Sequence, residues 1–434
     1  MDKIIITGGP QLRGEIPISG AKNAVLPLMA ASILTDKPIT LQNVPKLSDI
    51  TLMSELLSHH GVHVTRDFSA QTCTLHAASI TDTVAPYEIV SKMRASIVVL
   101  GPLLARCGEA VVSLPGGCAI GTRPVNMHID GLRSLGADIY IENGYIHAKT
   151  SGLVGATIVL PFATVTGTEN ILMAAVYARG TTVIKNAAKE PEVCDLANCL
   201  VSMGAQIGGI GTDTLVIDGG TRLGGTTHFV VPDRIEAATY AIAGAITHGD
   251  VVLKNVVYDD LLAFWQPLER AGVVIERMEP QAANAHASYE DVRVSMSAEI
   301  KGVDVMTEPH PGFPTDAQAQ FMALMTLCNG AAMITETIFE NRFMHVPELC
   351  RMCADITTHN ASVLVRGVNH LTGATVMATD LRASVSLVLA GLAAKGETTV
   401  QRVYHIDRGY ERIEEKLRTC GAEIERVQGG STAL

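Results

Sequence analysis

Several side chains in this sequence stand where their surroundings suit chemistry. Cys118 lies in SLPGGCAIGTRPVNMHIDG (113–131), where neighbouring glycines expose the thiol and Arg123 adds positive charge five residues away. Such a setting lowers a thiol pKa and suits a nucleophile, or an acid active near neutrality. The other eight cysteines read as small buried hydrophobes. Lys22 and Asn23 follow Gly20 in SGAKNAVLPLMAAS (19–32) and open an Ala-rich helix. A helix start with a lysine is an anion site, although a capped helix with a surface lysine has the same look. In PHPGFPTDAQAQFMAL (309–324), three prolines hold Thr315 and Asp316 at the start of a helix. That is either an N-cap with an acid in the first turn or a carboxylate held as a general base. Arg382 in ATDLRASVSL and Arg408 in YHIDRGYERIEEKL precede helices. Each can clamp a carboxylate or phosphate with paired N–H donors, or form an ordinary surface salt bridge.

Other signals lead nowhere. Cys350 and Cys353 form a CxxC with no second pair for zinc. His59, His60 and His63 have no acidic partner in a metal motif, and GGIGTDTLVIDGG lacks the spacing of a dinucleotide loop. We therefore expect no metal and no cofactor.

The elements that carry these residues repeat. An apolar helix, a small-residue turn and a β-branched strand recur as LLSHHGVHV, GLRSLGADIYI, CLVSMGAQI, PLERAGVVIE, LCRMCADITT and KLRTCGAEIE. Their turn positions are Gly61, Gly136, Gly204, Gly272, Cys353 and Gly421. A second element, an Ala-rich helix with apolar residues at i, i+3 and i+4 and then an alternating strand, precedes each by about two dozen residues. Six α/β units of roughly 70 residues follow from this periodicity.

Composition narrows the function. At 47% apolar and 18% charged, the chain can bury a large core and is not disordered. Its formal charge of −11 argues against a nucleic-acid binder, but leaves room for an anionic substrate in a local basic cluster. No apolar run reaches the ~18–20 residues of a membrane span, and MDKIIITGG reads as a strand, not a signal peptide. Nine irregularly spaced cysteines fit a reducing compartment, the cytoplasm.

Read together, SGAKNA, SLPGGCAIGTRPV, KEPEVCDLANCL, FPTDAQAQF, ITETIFENRFMHVPEL, MATDLRAS and YHIDRGYERIEEKL closely resemble the UDP-N-acetylglucosamine 1-carboxyvinyltransferases, a family of enolpyruvyl transferases. The resemblance covers essentially the whole chain. It implies two inside-out α/β domains of three repeats each: residues 22–231 carrying Cys118, and 1–21 with 232–434 carrying Asp316 and Arg408, with the active site in the cleft between them. It also implies transfer of enolpyruvate from phosphoenolpyruvate to the 3-hydroxyl of UDP-N-acetylglucosamine by addition and elimination, with release of phosphate, as the first committed step of peptidoglycan synthesis. By motif position, Cys118 matches the proton donor and Asp316 the acceptor of the hydroxyl proton. Lys22, Asn23, Arg123 and Arg408 match the phosphoenolpyruvate site. Arg94, Arg123, Pro124, Val125, Asn126, Met127, Asp316 and Ile338 match nucleotide-sugar contacts, and Asp380 with Arg382 a supporting pair. His128 would help to orient the Cys118 loop. The family's Cys118-type thiol also implies alkylation by fosfomycin.

Two stretches depart from the family pattern. At the diphosphate and uridine segment Phe162-Ala-Thr-Val-Thr166-Gly-Thr stands where S-V-G-A-T is common, with Phe162, Ala163, Thr164 and Val165 at the contact positions, and Asn126 stands where an acid is common. The competing enzyme is 5-enolpyruvylshikimate-3-phosphate synthase, which does not rely on a cysteine acid. A competitor of another class is a non-catalytic repeat scaffold or clamp, which has no need of the loaded loops.

Overall fold

The computed structural model describes residues 2–116, 125–278 and 289–429. The described residues divide into two compact units, one from Gly20 to Val231 and the other made of residues up to Ser19 and from Pro232 onward. Each unit has its own apolar core.

The unit from Gly20 to Val231 holds three four-stranded sheets. In one, Val84–Ala85 runs parallel to Glu109–Ser113, which continues antiparallel to Tyr145–Lys149 and then Asp138–Glu142. Thr157–Val159, Gly180–Lys185, Thr214–Gly219 and Gln206–Gly208 repeat that order. So do Thr226–Phe229, Ile39–Gln42, Thr72–His76 and His63–Asp67, although here the first strand comes from the far end of the unit.

The other unit repeats the pattern three more times. Arg13–Pro17 runs parallel to Asp250–Val256 to start one sheet. Val305–Met306 does the same beside Ala331–Thr335. In the third, Thr375–Met377 and Glu397–Gln401 lead to Lys3–Thr7, which lies between Glu397–Gln401 and Glu423–Val427. The expected α/β repeats are present, but the sheets borrow strands across long stretches of chain. Periodicity along the sequence does not carry that information.

Helix stops explain the spacing of the repeats. Gly61, Gly136, Gly204, Gly272 and Gly421 all have φ between 90° and 110°, and Cys353 takes the same left-handed turn at 70°. Five copies use the residue without a Cβ penalty; the sixth tolerates one.

The Ala-rich helices are buried on nearly all sides and lie inside their units. All of Gln318–Met325 is buried, as are Ile235–Ile246 of the helix Arg234–Ile246 and Arg382–Leu392 of Leu381–Ala393. Strands such as Ser362–Arg366 alternate, with Val363 and Val365 buried and Arg366 exposed. Small residues set the helix spacing. A Cβ on Gly101 would meet the Asn170 carbonyl oxygen at 2.3 Å, so the helix Leu100–Cys107 can approach the helix Val165–Ala175 only with glycine there.

The chain leaves one unit after Ser19 and returns at Pro232. On the Ser19 side, Asp233 N donates to Ser19 O at 2.8 Å and Ser19 N to Glu236 at 2.7 Å. Lys416 adds bonds to Pro17 O, Ser19 Oγ and Glu236. On the Gly20 side, Ala21 N donates to Val231 O and Asn43 Nδ2 to Val230 O. Among the described residues no helix is long and apolar enough to cross a membrane.

Candidate active site

Asp316 is the centre of a buried polar cluster. It lies in the short 3-10 turn Thr315–Ala317 ahead of the helix Gln318–Met325. Arg342 donates to its Oδ1 at 2.6 Å and Arg382 to its Oδ2 at 2.9 Å. Burial by itself pushes the Asp316 carboxyl up, but the two guanidinium groups outweigh it and hold the acid well below the usual carboxylate range. Arg382 donates further to Tyr410 Oη at 3.0 Å, and that hydroxyl also meets Thr239 Oγ1 at 2.8 Å. The Arg382 guanidinium is therefore committed to Asp316 and Tyr410, and the sequence reading of it as an anion clamp or surface salt bridge gives way to a buried ion pair.

Thr315 does not cap the helix. Its hydroxyl donates to Glu336 at 2.8 Å and accepts from Arg342 at 2.8 Å, while Ala317 takes the cap position of the helix and Pro314 that of the 3-10 turn. Glu336 is buried and also accepts from Thr307 Oγ1, Ile338 N and Phe339 N. One carboxylate thus ties the Ile338 turn to the segment that carries Asp316. Asp380 caps the helix Leu381–Ala393 by accepting from the Arg382 and Ala383 N–H groups. Asp380 and Arg382 are linked only in that way; the Arg382 side chain serves Asp316. Arg408 closes the 3-10 turn Val403–Arg408 and is half-buried.

In the other unit, Lys22 and Asn23 begin the helix Lys22–Ala31, and Lys22 Nζ pairs with the buried Asp49 at 3.1 Å. Arg94 begins the 3-10 helix Arg94–Val99. Val125 precedes the helix Asn126–Ser134, in which Asn126 is exposed, Met127 half-buried and His128 buried. Phe162 and Ala163 are exposed and lead to Thr164, the cap residue of the helix Val165–Ala175. His128 bonds through both ring nitrogens, Nε2 with Thr166 Oγ1 at 3.3 Å and Nδ1 with Asn170 Nδ2 at 2.9 Å. Burial, with Arg94 adding to it, pulls its pKa down to about 4, so the ring is neutral.

Cys118, Arg123 and Pro124 lie outside the described residues. Sequence reasoning passed over Arg342 and Glu336, although both stand in the motif ITETIFENRFMHVPEL. Their side-chain partners are 21 to 29 residues away, so no local spacing of side chains marks them. Among the described residues no group of His, Cys, Asp or Glu could hold a metal ion. His59 does have an acidic neighbour, with Nε2 at 3.4 Å from Asp82.

The family model described as EPSP synthase (3-phosphoshikimate 1-carboxyvinyltransferase) matches residues 6–417. Proteins named UDP-N-acetylglucosamine 1-carboxyvinyltransferase are closely similar over full length. The one from Gluconacetobacter diazotrophicus is 58% identical over 99% of this chain and 100% of its own. The one from Rhodospirillum centenum is 58% identical over 99% of each chain. The chain belongs to the UDP-N-acetylglucosamine 1-carboxyvinyltransferase family. Solved enolpyruvyl transferases share the fold of this chain: NikO from Streptomyces tendae at a TM-score of 0.86 and 24% identity, covering 99% of both chains, and EPSP synthase from Acinetobacter baumannii at 0.76 and 18%, covering 99% of this chain and 100% of that one.

Proposed function

We propose that this chain transfers enolpyruvate from phosphoenolpyruvate to the 3-hydroxyl of UDP-N-acetylglucosamine and releases phosphate, opening peptidoglycan synthesis. The observation that carries the reading is full-length identity of 58% to relatives of that name. The chemistry of the residues supports it. In the addition step the Cys118 thiol gives its proton to the methylene carbon of phosphoenolpyruvate, and the sugar oxygen bonds to the adjacent carbon. The hydroxyl proton passes to Asp316. In the elimination step the Cys118 thiolate takes a proton back from the methyl group, the carbon–carbon double bond re-forms, and the carbon–oxygen bond to phosphate breaks with its electron pair leaving on the phosphate.

Asp316 is a weak base, since Arg342 and Arg382 stabilise its anion. A weak base suffices, because the hydroxyl becomes strongly acidic as its oxygen bonds to carbon, and the arginines keep the acceptor deprotonated. Lys22, Asn23, Arg123 and Arg408 hold the anionic donor. Arg94, the stretch from Arg123 to Met127, Phe162 to Val165, and Ile338 hold the nucleotide sugar. The two sets of residues act on one pair of substrates, and keeping water from them protects the intermediate from hydrolysis. Cys73, Cys107, Cys199, Cys328, Cys350, Cys353 and Cys420 are free thiols, in keeping with a cytoplasmic enzyme.

Phosphate release measured with purified protein tests the reading. Release from phosphoenolpyruvate is expected with UDP-N-acetylglucosamine and not with shikimate-3-phosphate; the reverse would select the synthase. Cys118→Ser is expected to abolish turnover, and fosfomycin to add once, at Cys118, by intact-mass and peptide mass spectrometry.

A further inference from the structure

Asn170 has no place in the scheme above, yet it is fully buried and its side chain bonds to three separate elements. Its Oδ1 accepts from Gly101 N at 2.6 Å. Its Nδ2 donates to Ile97 O at 2.8 Å and to His128 Nδ1 at 2.9 Å. A backbone N–H on one side and a carbonyl on the other leave only one orientation for the amide. His128 Nδ1 is therefore an acceptor, and the ring proton sits on Nε2, where it is donated to Thr166 Oγ1 at 3.3 Å.

Two of those elements, and the helix that carries Asn170 itself, begin at proposed nucleotide-sugar contacts. Ile97 lies in Arg94–Val99, His128 in Asn126–Ser134, and Asn170 itself in Val165–Ala175, whose cap residue is Thr164. Gly101 is bare of a side chain where the amide enters, and a Cβ there would stand 2.8 Å from Asn170 Oδ1. We propose that Asn170 is a positioning residue for nucleotide-sugar binding: its amide, with His128 fixed as the Nε2–H tautomer, locks the segments starting at Arg94, Asn126 and Thr164 into one register. This rests on the reading that those segments meet the nucleotide sugar.

Asn170→Asp keeps the size and Oδ1 but removes both donors. Wild-type protein should bind UDP-N-acetylglucosamine by calorimetry, and N170D should bind it about 10–100-fold more weakly, with KM for that substrate rising far more than KM for phosphoenolpyruvate. Nitrogen NMR of the His128 ring should show one proton, on Nε2, in the wild type and a changed state in N170D. If N170D does not fold, Asn170→Ser, which loses the reach without adding charge, is measured in the same way. A folded variant that melts earlier but binds the nucleotide sugar as wild type does would make Asn170 merely structural and overturn the proposal, as would a wild-type His128 protonated on Nδ1. Wild-type protein that fails to bind UDP-N-acetylglucosamine would instead overturn the proposed function, whatever the His128 tautomer.

Discussion

The Arg342 guanidinium donates to Asp316 Oδ1 at 2.6 Å and, through its other terminal nitrogen, to Thr315 Oγ1 at 2.8 Å. Two neighbouring residues are thus gripped by one rigid fork, from 26 residues further along the chain. Arg382 alone would hold the carboxylate by its other oxygen and leave it free to turn. Arg342→Met should therefore cost about 3 kcal/mol of stability, as for one partner removed from a buried ion pair. It should also lower kcat by ~10²-fold through misplacement of the carboxylate. Thermal melts and steady-state kinetics check both, and wild-type kcat in R342M would sink the positioning role.

Asp316 stays ionised wherever the protein is handled, because its pKa lies well below 3.8. Asp316→Asn should lower kcat by about 10²–10⁴-fold, by the same factor from about pH 5 to about pH 9. The depressed pKa also has a stability consequence. The carboxylate's contribution is complete above 3.8 and is lost as pH falls through the lower folded value. The stability gap between wild type and D316N should accordingly narrow only in strong acid, as measured by denaturant unfolding.

Glu169 behaves in the opposite way. It is buried, its Oε1 has no hydrogen-bond partner, and burial followed by the charges of Glu192 and Glu190 raises its pKa well above 4.5. A raised acid favours the folded state less and less as pH climbs from 4.5 toward the folded value. Glu169→Gln should match wild type near pH 4 in thermal melts and exceed it at pH 8, by roughly 2–4 °C for each kcal/mol released. A constant offset across that range would refute the assignment.

Lys416 and Glu236 form a buried pair at 2.7 Å beside the crossing at Ser19. Burial raises the Glu236 pKa even with Lys416 opposing it, so the acid depends on its partner. Lys416→Met should destabilise by about 3–5 kcal/mol, and adding Glu236→Gln should recover a large part of that loss. Additive losses in the double variant would show that the two residues act independently.

The repeats were legible because each leaves a local mark, an Ala-rich helix, a left-handed stop and an alternating strand. Lys3–Thr7 shows where legibility ends, since its alternation identifies a strand but not the neighbours Glu397–Gln401 and Glu423–Val427. The site divides along the same line. Asp316 and Arg382 stand in contiguous motifs that single them out in the sequence, whereas Arg342, Glu336 and Asn170 carry no such mark. What distinguishes these three is burial and partners on other elements, and a buried polar group acquires its meaning only from what it touches. Cys353 is a smaller case: its place in the repeat was plain, but its positive φ of 70° follows from the turn it occupies and not from its residue type.

The position of Lys3–Thr7 between two late strands also sets an order of events during synthesis. This strand is made well before both of its neighbours, which follow most of the described residues. The unit from Gly20 to Val231 has all its own strands long before then and can fold while translation continues. The nascent amino-terminal strand must wait, its edges unpaired, and a ribosome stalled before Glu423 would display one finished unit beside an incomplete one.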